Sequence, residues 1–226
     1  SGGAKYLFPG ISGPELIDVI HWLGALLSSG NVIGKIDTPS RRVLDAAAAK
    51  MPLPMHGLSF VYHEGEVVVM EAGGLQEAWL RAAEESQRRH ITYKPRGFRK
   101  LLACCPPMYK DAWTAGKCVY KCEPVVADGG ELVVYAPHVK TFSETHEEAI
   151  RAMGYHVRDY FLAHMDRYAH LPRSIMTHCV IVKGEGTYEA GIERPRIRVL
   201  LASQIKPEGC ETAGLGYVDP ATIDPA

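Results

Sequence analysis

The sequence lacks any run of the ~20 apolar residues that a membrane-spanning helix requires. No charged-then-apolar signal segment opens it. It also has no surplus of either charge: 25 basic residues face 26 acidic ones, for a formal net charge of -1. A balance this even excludes a broad nucleic-acid-binding face and an acidic tail. Cysteine is sparse and poorly placed for disulfides. Of the six, Cys104 and Cys105 are adjacent in an apolar segment, which suits reduced thiols in a cytoplasmic protein. Cys118 and Cys122, four apart, would share a helix face. With nearby histidines they make a possible zinc module, but no second pair has zinc-site spacing, and a core or surface role competes. Internal repeats and low-complexity segments are absent too. What is present is enough apolar content, 46% of 226 residues, to bury one substantial core or two modest ones.

Strand-like and helix-like segments alternate, which predicts an α/β layer architecture with a largely parallel sheet. Ser12-Gly13-Pro14-Glu15 reads as a capped helix start, with the helix running from about Pro14 to Ser29. Leu16, Ile17, Ile20, Leu23 and Leu27 form its apolar stripe. Thr38-Pro39 opens a second helix. Leu58–His63 and Glu66–Glu71 predict a hairpin about Glu64-Gly65, followed by a charged helix from about Leu75 to Arg89. The segment Ile91 to Gly97 is basic, carries Pro95 and Gly97, and is the candidate hinge. Beyond it we expect a strand over Phe98–Cys104, a helix from about Met108 to Lys121, and a strand over Glu131–Ala136. Two helices follow, Thr145–Met153 and His156–Arg167, and then strands at His178–Lys183 and Ile197–Ala202. The implied division is residues 1–94, residues 95–212, and a tail, 213–226, returning toward the first domain.

The chain opens on Ser1-Gly2-Gly3-Ala4-Lys5, with Pro9-Gly10 just beyond. Two glycines before a lysine allow close approach of the backbone to a ligand, and such a loop ahead of a helix suits phosphate. It is not a P-loop, since G-x-x-x-x-G-K-[ST] is missing. On its own it reads equally as a tight surface turn with a solvated lysine. His21 stands 16 positions after Lys5, at the edge of the apolar stripe. It reads either as an ordinary boundary histidine or as an imidazole ligand on a rigid helix, a donor that suits nickel.

S-G-G-A-K-Y-L-F-P-G-I-S-G, with His21 beyond it, resembles the cofactor-attachment region of the nickel-dependent lactate racemase family. Segments around Met108–Lys117, Gly129–His138 and Gly154–Tyr160 resemble relatives of those racemases as well. The resemblance implies two α/β domains around a cleft, the N-terminal one incomplete in this chain. It implies a nickel-pincer nucleotide (nickel with pyridinium-3-thioamide-5-thiocarboxylic acid mononucleotide) joined covalently to Lys5. His21 would be the protein's own nickel ligand, and Gly2, Gly3 and Pro9 would shape the cofactor loop. The implied reaction is racemisation or epimerisation of a 2-hydroxy acid by hydride transfer to the cofactor. The partners implied are that small substrate and the enzymes that build the cofactor, with no nucleic acid and no membrane.

The family's catalytic bases lie upstream of the lysine loop, before Ser1, so this chain is expected to be inactive alone and part of a longer one. The family's second domain contacts substrate through a Tyr-Gln-x-x-Lys run. The nearest match here is Tyr109-Lys110-Asp111-Ala112-Trp113, making Tyr109, Lys110 and Trp113 the candidate substrate contacts. Lysine for glutamine and tryptophan for lysine point away from lactate itself. Either lysine, Lys110 or Lys117, could meet a carboxylate as a point charge or lie solvated on a helix. His138, after a strand, sits where α/β sheets place ligands; His146, His156 and His178 read as structural. Arg158 and Asp159 suggest an ion pair. Lys183-Gly184-Glu185-Gly186-Thr187 is a glycine-rich loop that could face a cleft or simply turn. A non-catalytic nucleotide- or metabolite-binding protein on the same fold is the competing functional reading.

Overall fold

The computed structural model describes residues 2–225. The first part of the chain forms α1 (Ala4–Leu7), α2 (Pro14–Leu27), α3 (Ser29–Val32), α4 (Pro39–Ala48), β1 (His56–His63), β2 (Glu66–Gly74) and α5 (Leu75–His90). The rest forms β3 (Phe98–Cys104), α6 (Ala112–Cys122), β4 (Val126–Tyr135), α7 (Glu147–Met153), α8 (Arg158–Ala163), α9 (Arg173–Lys183), β5 (Gly186–Glu189), β6 (Ile192–Pro195), β7 (Arg198–Ala202), α10 (Pro207–Thr212) and β8 (Gly216–Tyr217). Contacts gather these elements into two compact units. One is Ser1–Leu23 with Gly34–Tyr93, the other Gly24–Ile33 with Lys94–Ala226.

In the first unit a small core joins Ala4 of α1, Ile20 of α2, and Leu44 and Ala48 of α4, with Leu7, Phe8, Leu16, Met55 and Leu75 packed around it. Thr38 caps α4 by accepting from the Arg41 N–H at 3.1 Å, with Pro39 at the first helical position where its missing N–H costs nothing. The Ser12 capping box does not form. Ser12 Oγ has no hydrogen-bond partner, and the N–H groups of Leu16 and Ile17 reach the carbonyl of Gly13. A cap must sit immediately before the helix, and Ser12 stands one residue too early. The hairpin is as expected. Glu64 and Gly65 both take positive φ, 52° and 88°, the combination that matches a two-residue turn to strand twist. One hairpin face packs on Ala78, Trp79 and Ala82 of α5, all buried. The other leaves Leu58, Phe60, Tyr62 and Met70 exposed. Arg81 of α5 ties helix to hairpin through Glu71 at 2.6 Å and the Ala72 carbonyl at 2.9 Å, and pairs with Glu77 one turn back on its own helix.

The second unit is built on a four-stranded, all-parallel sheet in the order β3-β4-β7-β8. Its interior is thoroughly buried: Leu132, Ala136, Phe142, Ile150, Tyr155 and Phe161 are fully inaccessible. Gly129-Gly130, expected to precede a strand, lie inside β4 where the β3–β4 register shifts. A side chain at Gly130 would meet the Ala127 carbonyl at 2.7 Å, so glycine marks the bulge. The helix expected from Met108 begins at Ala112. Asp111 ends the preceding loop and caps α6 through the Thr114 N–H at 2.9 Å.

The segment His178–Lys183, expected as a strand, is the end of helix α9. Ile175 through Val180 and Val182 are all buried. A run that is apolar at nearly every position has no stripe to separate the two periods, and a helix enclosed on all sides needs none. Residues 213–225, read from sequence as a separate tail, belong to the second unit, where Gly216–Tyr217 adds the edge strand beside β7. The fold is mixed α/β with a parallel sheet, as expected. No described helix is long and apolar enough to cross a membrane.

Candidate functional site

Two neighbouring pairs in sequence create the site in the first unit. Ala4 and Ile20 meet in the core, and the residue after each, Lys5 and His21, lines one open cleft of about 1370 Å³. The lysine loop is held by close packing. Gly2 and Gly3 have φ of 100° and 58°, and a side chain on Gly3 would lie 2.8 Å from the Trp79 ring. The close approach these glycines permit is therefore to an indole of the protein itself. Arg41 completes the layer. Its guanidinium lies 3.9 Å over the Trp79 ring, and one of its N–H groups donates to the Gly2 carbonyl at 3.2 Å. Beyond the lysine the chain turns back at Gly10, where any side chain would collide with the Tyr6 carbonyl. Pro9, which follows a cis peptide bond, also lines the cleft. Ser1 lies outside the described residues.

Lys5 and His21 are solvent-accessible from the cleft, yet protein crowds their charged ends. Burial, and then the charge of Arg41, hold the Lys5 amine below the usual lysine range. Burial, and then Lys5, hold His21 below the usual imidazole range, against an opposing pull from Asp18. The Lys5 charge thus acts on His21, and burial biases both groups toward their neutral, electron-donating forms. Among the described residues no group of three or more His, Cys, Asp or Glu side chains could hold a metal. His21 is then a single imidazole donor, adequate only where a ligand supplies the remaining donors. Cys118 and Cys122 are free thiols on α6.

The other candidates belong to the second unit, at the C-terminal edge of its parallel sheet, where open α/β sheets present ligand-binding loops. Tyr109 and Lys110 lie in the loop between β3 and α6, and Trp113 in the first turn of α6. Trp113 stacks on His178, with ring centroids 4.3 Å apart, and leans on His146 at 5.0 Å. Lys110 is exposed. Lys117 lies 5.2 Å over the Tyr109 ring, and His138 Nε2 donates to the Tyr109 carbonyl at 2.9 Å. His178 is fully enclosed beside the Tyr155 hydroxyl at 3.3 Å, and burial pushes it down to about 3. His156 stacks on Tyr160 and bonds to Glu193, and Arg158 pairs with Asp159 at 2.8 Å. The Gly184–Thr187 loop lines a smaller hollow of about 470 Å³. Two of the arginines there are already engaged, Arg158 with Asp159 and the Leu26 carbonyl, and Arg196 with the carbonyls of Glu123 and Val126.

Sequence reasoning missed Arg41, Trp79 and Asp111. Only Asp111 had a local signal, an acceptor directly before a helix with Thr114 three residues on. Arg41 and Trp79 reach the lysine loop from 36 and 74 positions away, and no spacing rule covers that.

No family model matches the chain, and no curated protein matches it. Among solved structures, a Thermotoga maritima protein superposes with a TM-score of 0.86 at 32% identity, over 99% of this chain and 57% of its own. The lactate racemase apoprotein from Thermoanaerobacterium thermosaccharolyticum superposes with a TM-score of 0.64 at 17% identity, over 97% of this chain and 51% of its own. The chain thus spans a little over half the length of these solved proteins. The fold is that of lactate racemase. At 17% identity that likeness shows fold alone.

Proposed function

We propose that this chain is the cofactor-bearing part of a racemase or epimerase of a 2-hydroxy acid other than lactate. Lys5 anchors a nickel-pincer nucleotide and His21 is the protein's ligand to its nickel. The observation that carries this reading is the convergence of Lys5 and His21 on one cleft. The side chains fit the group. A lysine amine held below its ordinary range is a better nucleophile for covalent attachment. An imidazole held neutral is in the form that binds a metal. A lone histidine without a cluster of further protein donors suits a metal whose other donors belong to the cofactor.

When bound, such a nucleotide supplies a hydride acceptor. The chain's own residues do the rest. Lys5 acts as an anchor and not as a base. The Trp79–Arg41 layer fixes the loop that carries it, and the helix bearing His21 holds the imidazole in place. In the second unit, Tyr109, Lys110 and Trp113 would contact substrate. Trp113, packed on His178 and His146, presents an aromatic ring where a lysine would supply charge, and this favours a wider or differently charged substrate than lactate. The bases would come from residues preceding Lys5 in a longer chain.

The test is intact-mass analysis of the protein made together with the cofactor's biosynthetic enzymes. The expected result is an added mass that maps to Lys5 and is missing in Lys5→Ala. If a lactate racemase produced in the same cells carries the adduct and this protein does not, the reading fails. Reversible nucleotide binding without nickel would then favour the non-catalytic alternative.

A further inference from the structure

The cleft of the first unit presents the cations Lys5 and Arg41 together with three histidines, and no aspartate or glutamate lines it. Gathering like charges is costly unless something compensates. Asp45 acts on Arg41 and Asp18 on His21, but neither acid belongs to the lining. Among the described residues, no carboxylate forms an ion pair with Lys5 or Arg41. Arg41 is also fixed in place. Its guanidinium lies flat on Trp79, and a single N–H is spent on the Gly2 carbonyl. A guanidinium carries five donors in a rigid fork suited to phosphate oxygens, so most of its capacity is unused. A cation that served only to hold the loop would not need neighbours of its own sign.

We propose that Arg41 is the phosphate-binding residue of this cleft, holding the phosphate monoester of a mononucleotide whose ring end reaches Lys5. The inference rests on the cofactor reading for the nucleotide's identity. The demand for an anion comes from the cleft itself. Before Lys5 is modified, the bound phosphate would relieve the repulsion between Arg41 and the Lys5 amine.

The experiment compares a pyridinium mononucleotide, nicotinic acid mononucleotide, with the same riboside lacking its phosphate, by calorimetry at low salt. The unmodified chain should bind the mononucleotide at least roughly tenfold more tightly, the factor that ~1.4 kcal/mol provides. The preference should vanish in Arg41→Gln, return in part in Arg41→Lys, and weaken with salt. Inorganic phosphate should shift the Trp79 indole N–H resonance in the parent chain and not in Arg41→Gln. Equal binding of nucleotide and riboside by the parent chain overturns the proposal, and this comparison needs no variant to fold. An unchanged preference in a folded Arg41→Gln overturns it as well. A phosphate preference without any Lys5 adduct would sink the covalent reading and leave Arg41 in its role. An adduct formed by a cleft indifferent to phosphate would do the reverse.

Discussion

In the second unit Glu123 is only 2% exposed, yet its carboxylate accepts the Glu185 N–H at 2.6 Å and faces Arg196 at 3.6 Å. Asp111 is buried and accepts from Thr114 and Glu144. In the first unit Lys5 and His21 stand in an open cleft, each pushed toward neutrality, with no carboxylate paired to them among the described residues. The hairpin beside them leaves a row of apolar side chains bare. Where polar groups are satisfied internally, they serve packing and specificity. Where cations line a cleft without an acid, the proposed function makes a ligand their partner. The second unit meets its buried carboxylates with donors of its own, and the first presents Lys5 and Arg41 to a cleft lined by no acid.

The contrast is most exposed to failure in the second unit's core. Phe161→Ala empties a fully buried position and should cost about 3–5 kcal/mol, read by urea unfolding with hydrogen exchange to assign the loss to this unit. A cost below about 1 kcal/mol would mean that the packing is looser than described.

The buried histidine sharpens the comparison next. His178 is held at about 3 in the folded protein, below its unfolded value of about 6.5. The unfolded chain therefore takes up a proton that the folded chain refuses. This stabilisation is complete above about pH 6.5 and is lost as pH falls toward 3, at up to ~1.4 kcal/mol per pH unit. Between pH 6 and 4, His178→Gln should flatten the fall in stability. Equal slopes in the two proteins would show that His178 is not held neutral by burial. The smallest effect belongs to the first unit's bare face. Tyr62 is 62% exposed, and Tyr62→Ser should change unfolding free energy by no more than about 0.5 kcal/mol. A larger loss would show that the hairpin face is covered.

Much of this molecule follows from local rules. The turn at Glu64-Gly65, the cap at Thr38-Pro39 and the boundaries of α5 are short-range effects, set by left-handed backbone, a hydroxyl acceptor and proline's fixed φ. The strand Phe98–Cys104 was legible for the same reason. The α9 helix was not, because a segment buried on every side has no periodic contrast. Nor was the membership of Gly24–Ile33 in the second unit, since tertiary packing need not follow chain order. At the site, the resemblance to the lactate racemase family singled out Lys5 and His21; residue types and spacing alone read equally as a solvated lysine and a boundary histidine.

By itself the sequence determined where most helices, turns and caps form and how far apart Lys5 and His21 lie along the chain, because such elements depend on neighbours a few residues away. Only the tertiary structure decided that Lys5 and His21 line one cleft, that Trp79 and Arg41 brace the loop ahead of Lys5, and that no acid lines that space. Those facts depend on the packing of Ala4 against Ile20 and on a helix some 70 residues downstream, where burial of apolar surface, and not local propensity, sets the arrangement.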